Sequence, residues 1–282
     1  AWSKFDKAIG KAALAGVAAM AALGVAALKL AGDFDDAYDA IAVGTGATGE
    51  DLGDLQASFD KVFRSIPADG GQVAKAMTAI AQKTGATGAP LETLTTQIVE
   101  LSRITGTDLA TNLETVLSAT QRWGLSAEAA APFLDHLFRV SQESGVPVSE
   151  LAAALAENKA ILDGLGLTLP ESANLIGSLG KSGVDAGIAF GGLRIALTKL
   201  AKDGIKDPRA EIEKYFDRIK NAKTDAEASA IGVSIFGKQA INLTSAIRDG
   251  RFNLDAFTEA VFENKNGITD TAKATNDWKE DL

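Results

Sequence analysis

The stretch Gly124-Leu-Ser-Ala-Glu-Ala-Ala-Ala-Pro-Phe-Leu-Asp-His-Leu-Phe-Arg-Val140 decides how the rest of the chain reads. Phe133, Leu137 and Val140 stand four and then three residues apart, the spacing that brings side chains onto one face of an α-helix. Ahead of them, Gly124-Leu-Ser126 has the chemistry of a helix boundary, because a glycine can end one helix at φ > 0 and a hydroxyl can cap the next. The arrangement recurs: Gly46-Ala-Thr48, Gly85-Ala-Thr87, Gly124-Leu-Ser126 and Gly166-Leu-Thr168 are separated by 39, 39 and 42 residues. At the same offsets from each glycine lie Leu55/Phe59/Val62, Leu94/Ile98/Leu101 and Phe133/Leu137/Val140, while the fourth copy keeps Leu175 and Leu179 but has Ser182. A second stripe reads Val73/Met77/Ile80, then Leu151/Leu155 in the third copy and Leu193/Leu197/Leu200 in the fourth; in the second copy only Val116 is strongly apolar. Each unit therefore reads as a helical hairpin, and a period near 40 residues predicts stacked hairpins that bury one another's apolar faces. The alternative is a chance match among Ala- and Gly-rich helices, since the shared letters are degenerate.

Outward from this region the helical spacing continues but the period does not. After Asp207-Pro208 come Ile212/Tyr215/Phe216/Ile219, Ile241 to Ile247, and Leu254/Phe257/Val261/Phe262. Pro208 is expected in the first turn of its helix, where its missing N–H is harmless. Thr168 with Glu171, and Thr224 with Glu227, have the spacing of capping boxes. Ala, Leu, Glu, Lys and Gln outnumber the β-branched and aromatic residues that favour strands. The fold class expected is all-α: an N-terminal apolar helix over 1–43, a hairpin-repeat region over 44–206 and a C-terminal helical region over 207–282. Ala1 in place of Met, and an ending at Trp278-Lys-Glu-Asp-Leu282 without a stop signal, read as an excised segment.

Lys11 and Lys29 bracket an uncharged run of 17 residues, AALAGVAAMAALGVAAL. A membrane span needs about 20 strongly apolar residues, and Ala contributes little transfer energy, so the run is marginal as a span. It also lacks the cleavage pattern of a secretion signal. Leu14, Ala18, Ala21, Val25 and Leu28 form a seam on one helical face, with small residues that permit close approach. They are the candidate self-association residues, in a homo-oligomer of three or more copies. A segment that meets a membrane in some later event, and a constitutive span, are the other readings.

Of the 282 residues 46% are hydrophobic and 23% charged, the profile of a folded chain. The formal charge of −9, with Lys and Arg scattered, argues against sequence-specific nucleic-acid binding. Absence of Cys removes thiol chemistry. His136, the single histidine, sits beside an apolar stripe and reads as structural; with no Cys, zinc would need ligands it seldom uses. Gly180-Lys181-Ser182 imitates the end of a phosphate loop, but Leu175 stands where that motif needs Gly and no strand precedes it. Asp33, Asp35, Asp36 and Asp39 lack EF-hand spacing and read as helix-entry charge. No catalytic, cofactor-binding or metal residue is assigned, and the chain is expected not to be an enzyme.

Three features in order resemble the core region of phage tail tape measure proteins. They are the Ala/Gly-rich helix leading into Phe34-Asp35-Asp36-Ala37, the stretch Leu179-Gly-Lys-Ser-Gly-Val-Asp-Ala-Gly-Ile-Ala-Phe-Gly-Gly-Leu-Arg-Ile-Ala-Leu197, and Phe236-Gly-Lys-Gln-Ala240 with Leu243, Ile247 and Gly250. The resemblance covers roughly residues 30 to 262. It implies a structural virion protein that sets tail length during assembly in the host cytoplasm, occupies the tail lumen and tip, contacts tail tube and tail tip proteins, and is released at DNA ejection. It also implies contact with the host membrane at that step. Some members carry peptidoglycan-cleaving domains, of which no motif is recognisable here. Two other functions stay open: a helical-repeat module holding a protein partner on a concave surface, and a membrane-active toxin in which residues 12–28 insert.

Overall fold

The computed structural model describes residues 34–252 and 267–276, and within them every regular element is helical. The seam residues Leu14, Ala18, Ala21, Val25 and Leu28, and the block Leu254 to Phe262, lie outside the described residues. The described helices fall into two compact units, one up to Thr95 and one from Thr96 onward.

The first unit contains helix α1 (34–45), α2 (Gly49–Ser65), α3 (Gly70–Thr84) and the start of α4 (Gly88–Thr105). Its centre is aromatic: Phe34 meets Phe59 and Phe63 edge-on at ring separations of 5.7 and 5.0 Å, and Tyr38 meets Phe59 at 5.8 Å. The Tyr38 hydroxyl donates to Asp60 at 2.7 Å. Burial, reinforced by that carboxylate, holds the phenol pKa above its usual value. Leu55, Phe59 and Val62 of α2 and Val73, Met77 and Ile80 of α3 are all buried.

The second unit continues through α5 (Leu109–Trp123), α6 (Ala127–Ser144), α7 (Val148–Glu157), α8 (Lys159–Gly164), α9 (Leu169–Lys181), α10 (Ala186–Lys202), α11 (Pro208–Lys220), α12 (Asp225–Phe236), α13 (Ile241–Arg248) and α14 (Ile268–Asn276). α5 packs on α7, α6 on α7 and α9, and α10 on α12. Ile98, Leu101, Phe133, Leu137, Val140, Leu175 and Leu179 are buried, as are Leu151, Leu155, Leu193 and Leu200. Each such side chain removed from water contributes about 1.5–3 kcal/mol. The second copy's stripe, which has only Val116 as a strong apolar residue, is completed by buried Asn112, whose amide donates to Ser102 Oγ at 2.9 Å, and by Ala119.

The helix boundaries have a shared chemistry. Thr45, Thr84, Thr105 and Ser144 each donate a hydroxyl to the carbonyl four residues back, Ile41, Ile80, Leu101 and Val140, at 2.6–2.8 Å. Each hydroxyl then accepts the N–H two residues onward, across a glycine such as Gly85 at φ 68°. Carbonyls and N–H groups that a helix end would orphan are thus satisfied locally. The following helix is capped by Ser126 on Ala129 N–H, by Thr168 in a complete capping box with Glu171, or by Asp69, Asp108 and Asp185. Thr48, expected to cap α2, makes no such bond. Thr224 caps α12, but Glu227 reaches past it to Lys223 N–H at 2.8 Å.

Two further departures from the sequence expectation have physical causes. The second helix of the third unit is broken at Asn158, within the one spacing of 42. The freed Leu155 carbonyl accepts the Trp123 indole N–H at 3.2 Å and Asn158 Nδ2 donates to Ala154 O at 2.9 Å, so the break leaves neither group unsatisfied. Lys159 then lies 4.8 Å from the Trp123 ring centroid. Ile241, grouped with the apolar block ending at Ile247, is 51% exposed, while Leu243, Ala246 and Ile247 are buried. Pro208 does occupy the first turn of α11, behind an Asp207 cap.

Candidate functional site

The two more distinctive sequence stretches, Leu179 to Leu197 and Phe236 to Ala240, come together in space. The first begins at the C-terminus of α9, where the Ser182 hydroxyl donates to Arg251 O and the Arg251 guanidinium returns a bond to Ser182 O at 2.6 Å. Asp185 caps α10 by accepting the Ile188 N–H at 2.8 Å. α10 then buries Phe190, Leu193, Ala196 and Leu200.

Glycine sets the approach of its partner. A Cβ at Gly192 would lie 3.0 Å from Ala240 Cβ, 3.2 Å from Phe236 Cβ and 3.4 Å from the Phe236 carbonyl oxygen. Position 192 must therefore lack a side chain for α10 to meet α12 and the 3-10 turn Lys238–Ala240 at this separation. Gly237 links them with φ 80° and ψ 167°, a backbone conformation essentially reserved for glycine. Lys199 Nζ donates to Ser234 O at 3.1 Å across the same junction. Beneath it, Phe236 meets Phe216 edge-on at 5.8 Å, and Phe216 meets Phe252 at 5.8 Å.

The outer side of the junction is apolar and cationic. Ile188 and Ile195 are 36% and 48% exposed, and Arg194, Lys199 and Lys202 are exposed beside them. The sequence reading attended to the buried stripe of α10 and missed this second one. Its signal was the spacing of Ile188 and Ile195, seven residues apart on the face opposite Phe190 and Leu193.

The other side chains singled out from sequence are occupied structurally. Lys181 pairs with Glu143 at 2.6 Å, and Gly180-Lys181-Ser182 stands at a helix C-terminus, the end whose dipole repels phosphate. His136 Nε2 lies 3.0 Å from Asn174 Oδ1. Burial pushes the imidazole pKa below its usual value, and the Arg139 charge adds to that, against hydrogen bonds at Pro170 and Asn174. Among the described residues no three His, Asp or Glu side chains gather as metal ligands, and no helix is long and apolar enough to cross a membrane. At the far end of the unit, Asp135 accepts the Ile268 N–H at 2.9 Å, and Arg103, held by Glu100 at 2.6 Å, donates to Ala272 O at 3.1 Å. α14 is thus grasped at both termini by charges of the sign its dipole favours.

Residues 64–275, which include the α10–α12 junction, match the phage-related minor tail proteins. The chain belongs to that family. Among curated proteins it is similar to the tape measure protein of Pneumococcus phage Dp-1, 22% identical over 272 residues, covering 89% of this chain and 24% of that protein. The chain thus spans about a quarter of that relative's length. No solved structure matches it. As a member of the minor tail protein family the chain has a structural role in the phage tail, where it meets other tail components, and family membership suggests a non-enzymatic protein.

Proposed function

We propose that this minor tail protein acts as part of a tape measure: it sets tail length during assembly in the host cytoplasm, occupies the tail lumen and tip of the virion, and leaves when DNA is ejected. The observation that carries the reading is similarity over 89% of the chain to a protein named tape measure protein. Supporting it is an all-helical chain whose helices end in self-contained turns, so that length rather than a reactive centre is the product. Tail tube and tail tip proteins are its partners in this reading. Its copies associate through Leu14, Ala18, Ala21, Val25 and Leu28, and the same segment contacts the host membrane at ejection. The division into 1–43, 44–206 and 207–282 belongs to the same proposal, with the middle region as stacked hairpins.

In-frame deletion of residues 88–123 from the parent chain tests it by electron microscopy of the tails. A helical ruler shortens by about 1.5 Å per residue removed. Infectious particles with tails of unchanged length would overturn the length-setting role.

A further inference from the structure

We infer that copies of this chain make a head-to-tail contact in which the outer face of α10 on one copy receives the outer face of α1 on another. The inference rests on the reading that copies associate, and it uses a surface separate from the N-terminal seam.

The two faces are complementary in charge and alike in apolar content. On α10, Ile188, Ile195, Lys199 and Lys202 lie within about a quarter turn of one another on the helical wheel, with Arg194 at the edge; all five are exposed. On α1, Asp35, Asp36, Asp39 and Val43 share one face and are exposed, Val43 at 87%. The inner faces of both helices are occupied, by Ala37 and Ile41 on α1 and by Phe190, Leu193 and Leu200 on α10. What remains outward is a cationic strip with two isoleucines and an acidic strip with a valine. Among the described residues neither Arg194 nor Lys202, and neither Asp35 nor Asp39, is engaged by a side-chain hydrogen bond or ion pair. With a formal charge of −9 the chain repels itself at long range, so a local cationic strip on an acidic protein selects which part of a second copy can approach. Different patches on the two copies make the contact heterologous, and such contacts propagate into rings or filaments instead of stopping at a dimer. An anionic lipid surface is the competing occupant of a cationic amphipathic helix.

Sedimentation of the intact chain separates these cases. Association is expected to weaken as salt rises from about 50 to 500 mM, over which the Debye length falls severalfold. Arg194→Glu with Lys202→Glu, and separately Asp35→Lys with Asp39→Lys, should each weaken self-association by about tenfold. Mixing the two variants should restore it, because each then offers the other an opposite charge on both faces; misfolded chains would not recover. Variants that associate like the wild type, or folded variants that do not recover on mixing, overturn the inference. So does a wild-type chain that stays monomeric, an outcome that also removes the seam reading. If Ala18→Glu dissociates the chain while the charge variants do not, the seam stands and the α10 contact falls. Loss of binding to vesicles of phosphatidylserine and phosphatidylcholine in Arg194→Glu/Lys202→Glu, with self-association unchanged, would assign the face to lipid instead.

Discussion

The α5–α7 pair and the α10–α12 pair solve the same packing problem by opposite means. α5 and α7 meet through large side chains, with Leu113, Val116 and Leu117 on one helix and Leu151 and Leu155 on the other. α10 and α12 meet through an absence, with Gly192 against Ala240 and Phe236, and behind it Gly232 of α12 against Thr244 of α13. The difference teaches that helix pairs in one chain can be sensitive to opposite errors. A pair built on interdigitated leucines loses stability when a side chain is cut back; a pair built on glycine loses it when one is added.

The largest expected effect follows from truncation in the first pair. Leu151 and Leu155 are fully buried, so Leu151→Ala should lower the unfolding free energy by about 2–5 kcal/mol, read from urea midpoints at constant slope. The mirror-image substitution is Gly232→Ala, whose Cβ would fall against the Oγ1, Cγ2 and Cβ of buried Thr244. It should cost about 1–3 kcal/mol despite the better helix propensity of Ala. Gly53→Ala on α2 is the control, because nothing lies within 4 Å of the added atom and the φ is helical. There the chain should gain about 0.4–1 kcal/mol from the less flexible unfolded state. If Gly232→Ala stabilises the chain as Gly53→Ala does, the contrast between the two pairs is wrong.

A smaller effect sharpens the comparison at the helix ends. Ser126 caps α6, whose leucines face α9, and Ser126→Ala should cost about 1 kcal/mol, whereas Thr48→Ala, at a cap whose hydroxyl bonds nothing, should change the thermal midpoint far less. The smallest effect concerns His136. Its pKa is depressed in the folded state by burial, so the unfolded chain binds the extra proton more readily and stability is full only above the unfolded value of about 6.5. Stability should decline as pH falls from there through the folded value, and His136→Gln should remove that part of the slope in chemical denaturation between pH 7 and 5. An unchanged slope would show that burial at Asn174 does not carry the effect.

How much of this was legible in the sequence depended on whether the cause was local. The stripes at Leu94/Ile98/Leu101 and Phe133/Leu137/Val140 were readable because three- and four-residue steps map directly to one helical face, and all six side chains are buried. The boundaries at Gly85 and Gly124 were readable for the same reason. Those at Gly106 and Gly145 passed unnoticed, although Thr105 and Ser144 carry the same hydroxyl-before-glycine signal as Thr84. The grasp of α14 by Asp135 and Arg103 had no local signal at all, since its partners are 133 and 169 residues apart in sequence. Gly192 and Gly232 read as Ala-like small residues until the neighbouring helix shows what a Cβ would strike. The five candidate self-association residues fall outside the described part of the chain, and only the association experiments address them.

The hydroxyl-glycine turns have a mechanical consequence. At Thr84, Thr105 and Ser144 the terminal polar groups of one helix are sealed by the chain's own next few atoms, with no help from a neighbouring hairpin. Drawing one hairpin away from the next would wet apolar side chains but strand no amide or carbonyl, so each helix outlives the loss of its companions. A strand of such pieces yields to tension by parting at its joints while the rods between them keep their length.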